Sequence, residues 1–209
     1  MEARQPISSC LLGDAPGVQA LMEGVPWDQY LAGTIGINPS TIVHGRKSML
    51  ALKHAWECPQ PDTDAFLWGR AIHALLFEPK SFEDRFRPFE GQRRGSSWKE
   101  FAAQCFDDGA EPIPSKMFHE VLVASLSFVR DPIIQSMISA GQREVVLMEV
   151  EGGLQCRGRV DWISTAEHVL VDLKSAKDIS ARSFAQDFYR YGYDVKLGLY
   201  RRWLERLTG

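Results

Sequence analysis

Three residues in the last quarter of the chain could do metal-assisted chemistry together. They are Asp161 in Gly158-Arg159-Val160-Asp161-Trp162, and Asp172 and Lys174 in Val171-Asp172-Leu173-Lys174. Residues two apart on a strand share a face, so Asp172 and Lys174 are expected on one side, Val171 and Leu173 on the other. A hairpin closing through 164–167 would bring Asp161 to the same end as Asp172. Two neighbouring carboxylates repel unless a cation lies between them, and hard oxygen ligands select Mg²⁺ or Mn²⁺. Such an ion polarises a phosphodiester, supplies hydroxide at neutral pH and stabilises the leaving oxygen. Lys174 would orient the attacking water or neutralise charge in the transition state. The trio therefore points to phosphodiester hydrolysis. An acid followed by Asp-x-Lys is common on its own, and its ordinary alternative is an ion pair on a solvated strand face. The surrounding elements have to decide.

Strand-like runs at Glu144–Val150, Leu154–Ile163 and Val169–Lys174, separated by Gly152-Gly153 and by residues 164–167, read as an antiparallel meander. Helical patterning precedes it. Ser40 is a plausible N-cap for a helix to about Trp56, and Asp64 opens a second that ends before Pro79. Ser115–Phe128 and the run after Asp131-Pro132 continue the series. Ser8–Leu12 and Val18–Met22 read as short helices, and residues 87–115 as a mobile loop region around an amphipathic Trp98–Phe106. Beyond Ser180 an apolar stripe of Phe184, Phe188, Val195, Leu199, Trp203 and Leu207 predicts one more helix. Helices, meander, helix is an α+β order: a central mixed sheet flanked by helices, in one domain spanning 1–209 with 1–36 as an N-terminal elaboration.

The chain has 209 residues, 44% hydrophobic and 24% charged, enough to bury a core and unlike a disordered or collagenous composition. No apolar run approaches a membrane span and the N-terminus lacks a secretory pattern, so a cytoplasmic protein is expected. Cys10, Cys58, Cys105 and Cys156 lie far apart and read as buried free thiols. The net charge of −3 seems to disfavour a nucleic-acid partner, but its distribution is uneven. Residues 1–152 carry 14 basic and 20 acidic side chains, and residues 153–209 carry 10 and 7. The basic surplus falls where the candidate chemistry lies.

With these residues in view, the chain resembles a family. Gly69-Arg70-Ala71-Ile72-His73 followed by Leu75-Leu76-Phe77-Glu78-Pro79, then Gly158-Arg159-Val160-Asp161 and Val171-Asp172-Leu173-Lys174-Ser175-Ala176, look like successive motifs of phage recombination exonucleases. These are the RecE-type, exodeoxyribonuclease VIII-like members of the PD-(D/E)XK superfamily, related to the RecB nuclease domain. The resemblance covers roughly residues 30–205. It implies a restriction-endonuclease-like core and a Mg²⁺ site, Mn²⁺ being able to substitute, with His73, Asp161, Asp172 and the Leu173 carbonyl as ligands. It also implies a glutamate at the first strand, for which Glu144 fits best and Glu149 or Glu151 would follow a register shift. The last motif, Gln-x-x-x-Tyr, is matched by Lys196 and Tyr200, with lysine in place of glutamine. Lysine can hold a phosphate but cannot accept a hydrogen bond. The resembling proteins continue with another strand beyond this helix, so the chain is expected to be a fragment or to complete its sheet differently.

The implied activity is exonuclease resection of linear double-stranded DNA from 5′ ends in phage-type recombination. A ring-like homo-oligomer and a single-strand annealing partner are implied with it, and no membrane. An iron–sulfur cluster is not expected, since Cys156 is the one cysteine in the last third. Arg93, Arg94, Trp98 and Lys99 read as a flexible basic stretch able to follow a phosphate backbone and stack a base, and Arg157, Arg159 and Lys177 as further backbone contacts. A Cas4-like end-trimming nuclease or an endonuclease with the same core, and a DNA-binding module that does not cut, are the rival readings.

Overall fold

A computed structural model describes residues 17–25, 29–30, 36–58, 61–164 and 166–209. In chain order its elements are β1 (Ala20–Met22), α1 (Pro39–Ile42), α2 (Met49–Glu57), α3 (Asp64–Phe77), α4 (Phe82–Arg85), β2 (Phe86–Phe89), α5 (Gly95–Asp107), β3 (Glu111–Pro114), α6 (Ser115–Arg130) and α7 (Pro132–Ser139). There follow β4 (Gln142–Glu151), β5 (Leu154–Ser164), β6 (Val169–Val171), α8 (Ala181–Arg190) and α9 (Tyr193–Thr208). The chain forms two compact units, Met1–Pro61 with Gly141–Gly209, and Asp62–Ala140.

The first unit is built on a four-stranded sheet of order β1-β4-β5-β6, each ladder antiparallel. A lone parallel bridge joins Ile37 to Cys156 at the side of β5. Gly152 and Gly153, both at positive φ, close the β4–β5 hairpin with the backbone twist that a two-residue turn requires. α9 lies on one face, where Leu199, Tyr200 and Trp203 meet Val145, Leu147, Val160 and Ile163 in the buried core. Gly158 makes that contact possible, because a Cβ there would stand 2.3 Å from Tyr200 Cε1.

The second unit packs α3 and α6 with a two-stranded ribbon, β2 and β3. The ribbon is parallel, and α5 is the crossover that parallel pairing demands. Thr63 caps α3, accepting from Phe66 N, and Asp131 caps α7 ahead of Pro132. Phe82, Phe86, Ile113 and Val121 are fully or almost fully buried. Among the described residues no helix is long and apolar enough to cross a membrane.

The meander is as expected, with differences at its edges. Val18–Met22 is no helix: Ala20, Leu21 and Met22 pair with Met148, Leu147 and Val146, and a sheet edge offers three residues more hydrogen bonds than one helical turn can. Ser8–Leu12 and Cys10 lie outside the described residues. The helix expected from Ser40 is two, capped by Asn38 (Thr41 N, 2.8 Å) and by Ser48 (Ala51 N, 3.0 Å). Residues 87–115 are not a mobile loop but ribbon strand, helix and ribbon strand, held by the Phe89, Trp98 and Phe101 rings. The last helical stripe is two helices, broken at Gly192 in the left-handed region, φ 68°. β6 stops at Val171, so Asp172, Leu173 and Lys174 follow the strand rather than belong to it. Cys105 and Cys156 are buried thiols, whereas Cys58, at the end of α2, is exposed.

Candidate active site

The β4–β5 ladder runs from Gln142↔Ile163 and Arg143↔Trp162 to Val145↔Val160, which places Glu144 and Asp161 on the same rung. Glu144 sits there at φ 52°, a left-handed backbone that a non-glycine residue adopts only at a cost. Carboxylate oxygens of Glu144 and Asp161 lie within 4.8 Å of each other. Both residues are buried. Arg159 balances Glu144, with Nε 2.9 Å from Oε2. Asp161 Oδ2 accepts a hydrogen bond from Leu173 N at 2.6 Å, so the carboxylate is aimed at the backbone leaving β6.

The Asp172 side chain is almost fully enclosed, 3% exposed. Lys196, on α9, donates from Nζ to Oδ1 at 2.8 Å, and Lys174 forms an ion pair with Oδ2. Lys174 Nζ also donates to the Leu173 carbonyl at 3.0 Å. Burial alone would raise the Asp172 carboxyl, but the Lys196 and Lys174 charges outweigh it and hold the group below its ordinary range. Lys174 is pushed down, first by burial and then by the charge of Lys196. For Lys196 burial also opposes the charge, and Tyr200, Asp172 and Asp161 outweigh it, so this ammonium is firmly protonated. Asp172 and Lys174 thus share a side as the strand pattern predicts, although the strand itself has ended.

Tyr200 lies one helical turn beyond Lys196, whose Nζ is 5.4 Å from the ring centroid. Its hydroxyl donates to the Arg159 carbonyl at 3.0 Å, tying α9 to β5 two residues before Asp161. Burial raises the Tyr200 phenol well above its usual range, so it stays a donor. Tyr193 has no part in the motif reading, yet its ring lies 5.4 Å from Lys174 Nζ. Its place three residues before Lys196, one turn away on the same helix, is the signal that could have found it.

The remaining expected residues each have their own surroundings. Glu149 and Glu151 stand at the rungs of Cys156 and Leu154, further along β4. Glu149 accepts from Gln19 Nε2 at 2.5 Å, and Glu151 from Trp203 Nε1 at 3.0 Å. His73 lies on α3 of the second unit, its ring centroid 5.9 Å from that of Phe77. Arg94, Lys99 and Lys177 are exposed. Arg93 is engaged by Asp64. Trp98 is packed edge-on against Phe89 at 5.3 Å rather than presented as a free stacking platform. Arg159 is no surface residue: it is 8% exposed, and Nη2 donates to the Val25 carbonyl at 3.3 Å. Arg157 is half-buried, donating to the Tyr30 carbonyl at 3.1 Å with its guanidinium 5.1 Å from the Tyr30 ring centroid. Both arginines brace the sheet.

In the first unit Glu144 and Asp161 offer carboxylate oxygens within 4.8 Å of each other, and the Leu173 backbone, bonded to Asp161 through its N–H, carries the carbonyl that Lys174 joins to the Asp172 carboxylate. These are hard oxygens of the kind that Mg²⁺ and Mn²⁺ prefer. With a lysine against the same acid, such a set suits hydrolysis of a phosphate ester. A family model described as a PDDEXK-like domain of unknown function (DUF3799) matches residues 45–209, a span that includes every residue of this cluster. No curated protein matches the chain.

Proposed function

The chain belongs to this family of PDDEXK-like domains, and from that premise we propose that it is a divalent-metal-dependent deoxyribonuclease acting on the ends of linear double-stranded DNA. The four-stranded antiparallel sheet with its helices is consistent with the restriction-endonuclease-like fold of such domains. The observation that carries the reading is the meeting of Asp161, the Leu173 backbone, Asp172 and Lys174 beyond the end of β6.

Asp161, Asp172 and the Leu173 carbonyl hold the metal, with Mg²⁺ as the ion and Mn²⁺ as a substitute. His73 is carried over as a further ligand from its motif. The bound ion would polarise the phosphodiester and lower the pKa of water. Lys174 lies against both Asp172 and the Leu173 carbonyl and directs its one remaining N–H toward the attacking water or the phosphate. Glu144, whose charge Arg159 balances, holds a carboxylate on the Asp161 rung. Tyr200 positions β5 through the Arg159 carbonyl, and Lys196 answers the charge on Asp172.

Resection with 5′-to-3′ polarity, a role in phage-type recombination, a ring-like assembly and a single-strand annealing partner rest on the motif resemblance. One observation favours a second reading, a DNA-binding module with weakened cutting: Asp172 already carries two ammonium groups. Release of nucleotides from linear and from closed circular DNA, with Mg²⁺, by the wild type and by Asp172→Ala tests the proposal. Release from linear DNA by the wild type alone supports it. No release by the wild type leaves the binding module, and equal release by the variant removes the site.

A further inference from the structure

The acids and lysines at the end of β6 balance without any ion. Asp161 and Asp172 bring two negative charges, Lys174 and Lys196 two positive ones, and Glu144 is already paired with Arg159. Each oxygen of Asp172 has its own ammonium, Lys174 at Oδ2 and Lys196 at Oδ1. The two lysines do not do the same work. Lys174 also caps the Leu173 carbonyl, whereas Lys196 reaches in from α9 and its hydrogen bond from Nζ goes to Asp172. The Lys196 side chain is 16% exposed, so its ammonium has little water to replace the carboxylate.

Resting on the metal-dependent reading above, we propose that Lys196 is a tethered counter-cation that occupies the Asp172 oxygen a divalent ion would take. A dication entering this balanced cluster creates an excess of two positive charges, where a neutral side chain at position 196 would leave an excess of one. The ion therefore binds weakly by itself. A DNA phosphate arriving with it restores the balance, and four flexible methylenes let the Lys196 ammonium leave Asp172 for a phosphate oxygen. Metal and DNA accordingly bind with positive coupling, which by linkage is the same in both directions. Lys196 is in this account a positioning and selectivity residue, setting when the metal site fills.

The test is a calorimetric titration of the full chain with Mn²⁺ alone. Wild type, Lys196→Gln and Lys196→Met are compared, each checked for folding by circular dichroism and thermal melting. Both variants are expected to bind Mn²⁺ at least roughly tenfold more tightly than the wild type, because the competing charge is gone. Adding Asp172→Asn is expected to abolish the gain. In the wild type, a phosphorothioate-protected duplex should raise Mn²⁺ affinity by a similar factor over that without duplex, and in Asp172→Asn it should not. Equal, measurable Mn²⁺ affinity in wild type and both variants overturns the counter-cation role and leaves the metal reading standing. No Mn²⁺ binding by any form, with or without duplex, overturns both. If the variants do not fold, the wild-type coupling decides, and an affinity unchanged by the duplex overturns the proposal.

Discussion

Glu144 and Arg159 form a diagonal ion pair across β4 and β5, Oε2 to Nε 2.9 Å, with side chains 11% and 6% exposed. Removing one member of so enclosed a pair strands the other charge in the sheet. Arg159→Ala is therefore expected to cost about 3–5 kcal/mol in urea unfolding. Adding Glu144→Gln should recover part of that loss. A single-variant cost below about 1 kcal/mol, the range of exposed pairs, would show that the charge is solvated.

The packing of α9 on the sheet makes a sharper steric prediction. A methyl at Gly158 would lie 2.3 Å from Tyr200 Cε1 and 3.2 Å from Trp203 Cζ3, so Gly158→Ala is expected to destabilise by about 1–3 kcal/mol or more. Gly198 lies on the same helix with nothing within 4 Å of an added Cβ. There Gly198→Ala should stabilise by about 0.5–1 kcal/mol through helix propensity. Thermal melting of the two variants should move in opposite directions.

Acid sensitivity follows from Asp172. Burial raises its carboxyl and the charges of Lys196 and Lys174 more than offset this, leaving the folded value below the ordinary 3.8. A depressed carboxylate contributes stability that is whole above the unfolded pKa and is lost as pH falls through the folded one. Unfolding free energy measured from about pH 5 downward should thus fall less steeply for Asp172→Asn than for the wild type. Parallel curves would mean that Asp172 does not carry this linkage.

Lys174 separates binding from chemistry. Lys174→Met removes the donor beside Asp172 and the Leu173 carbonyl but none of the exposed cations. Loss of a donor to developing charge costs roughly a hundredfold or more in turnover. DNA affinity, measured by anisotropy, should change little. A matching fall in both would make Lys174 a binding residue.

The elements legible in the sequence are those with local signals. Asp131-Pro132 announces α7, Gly152-Gly153 the hairpin, and the alternating apolar runs β4 and β5. What escaped depends on distant partners. β1 is three residues whose strand character exists only against Met148, Leu147 and Val146. The ribbon of β2 and β3 needs α5 between its strands, so a stretch rich in Arg, Gly and Ser hides an ordered unit. At the site, Asp172 and Lys174 are brought to one side as their spacing implies, yet by an ion pair beyond the strand. Arg159 reads as a surface base because nothing local reveals that Glu144, across the ladder, turns it inward.

In the proposed site Asp161, the Leu173 carbonyl and Asp172 share one ion. The most direct measurement is an anomalous difference map from crystals soaked in Mn²⁺ with a phosphorothioate duplex. A peak about 2.0–2.6 Å from oxygens of Asp161, Asp172 and Leu173 is expected. A map with no peak there, or with the ion bound away from both aspartates, would contradict it.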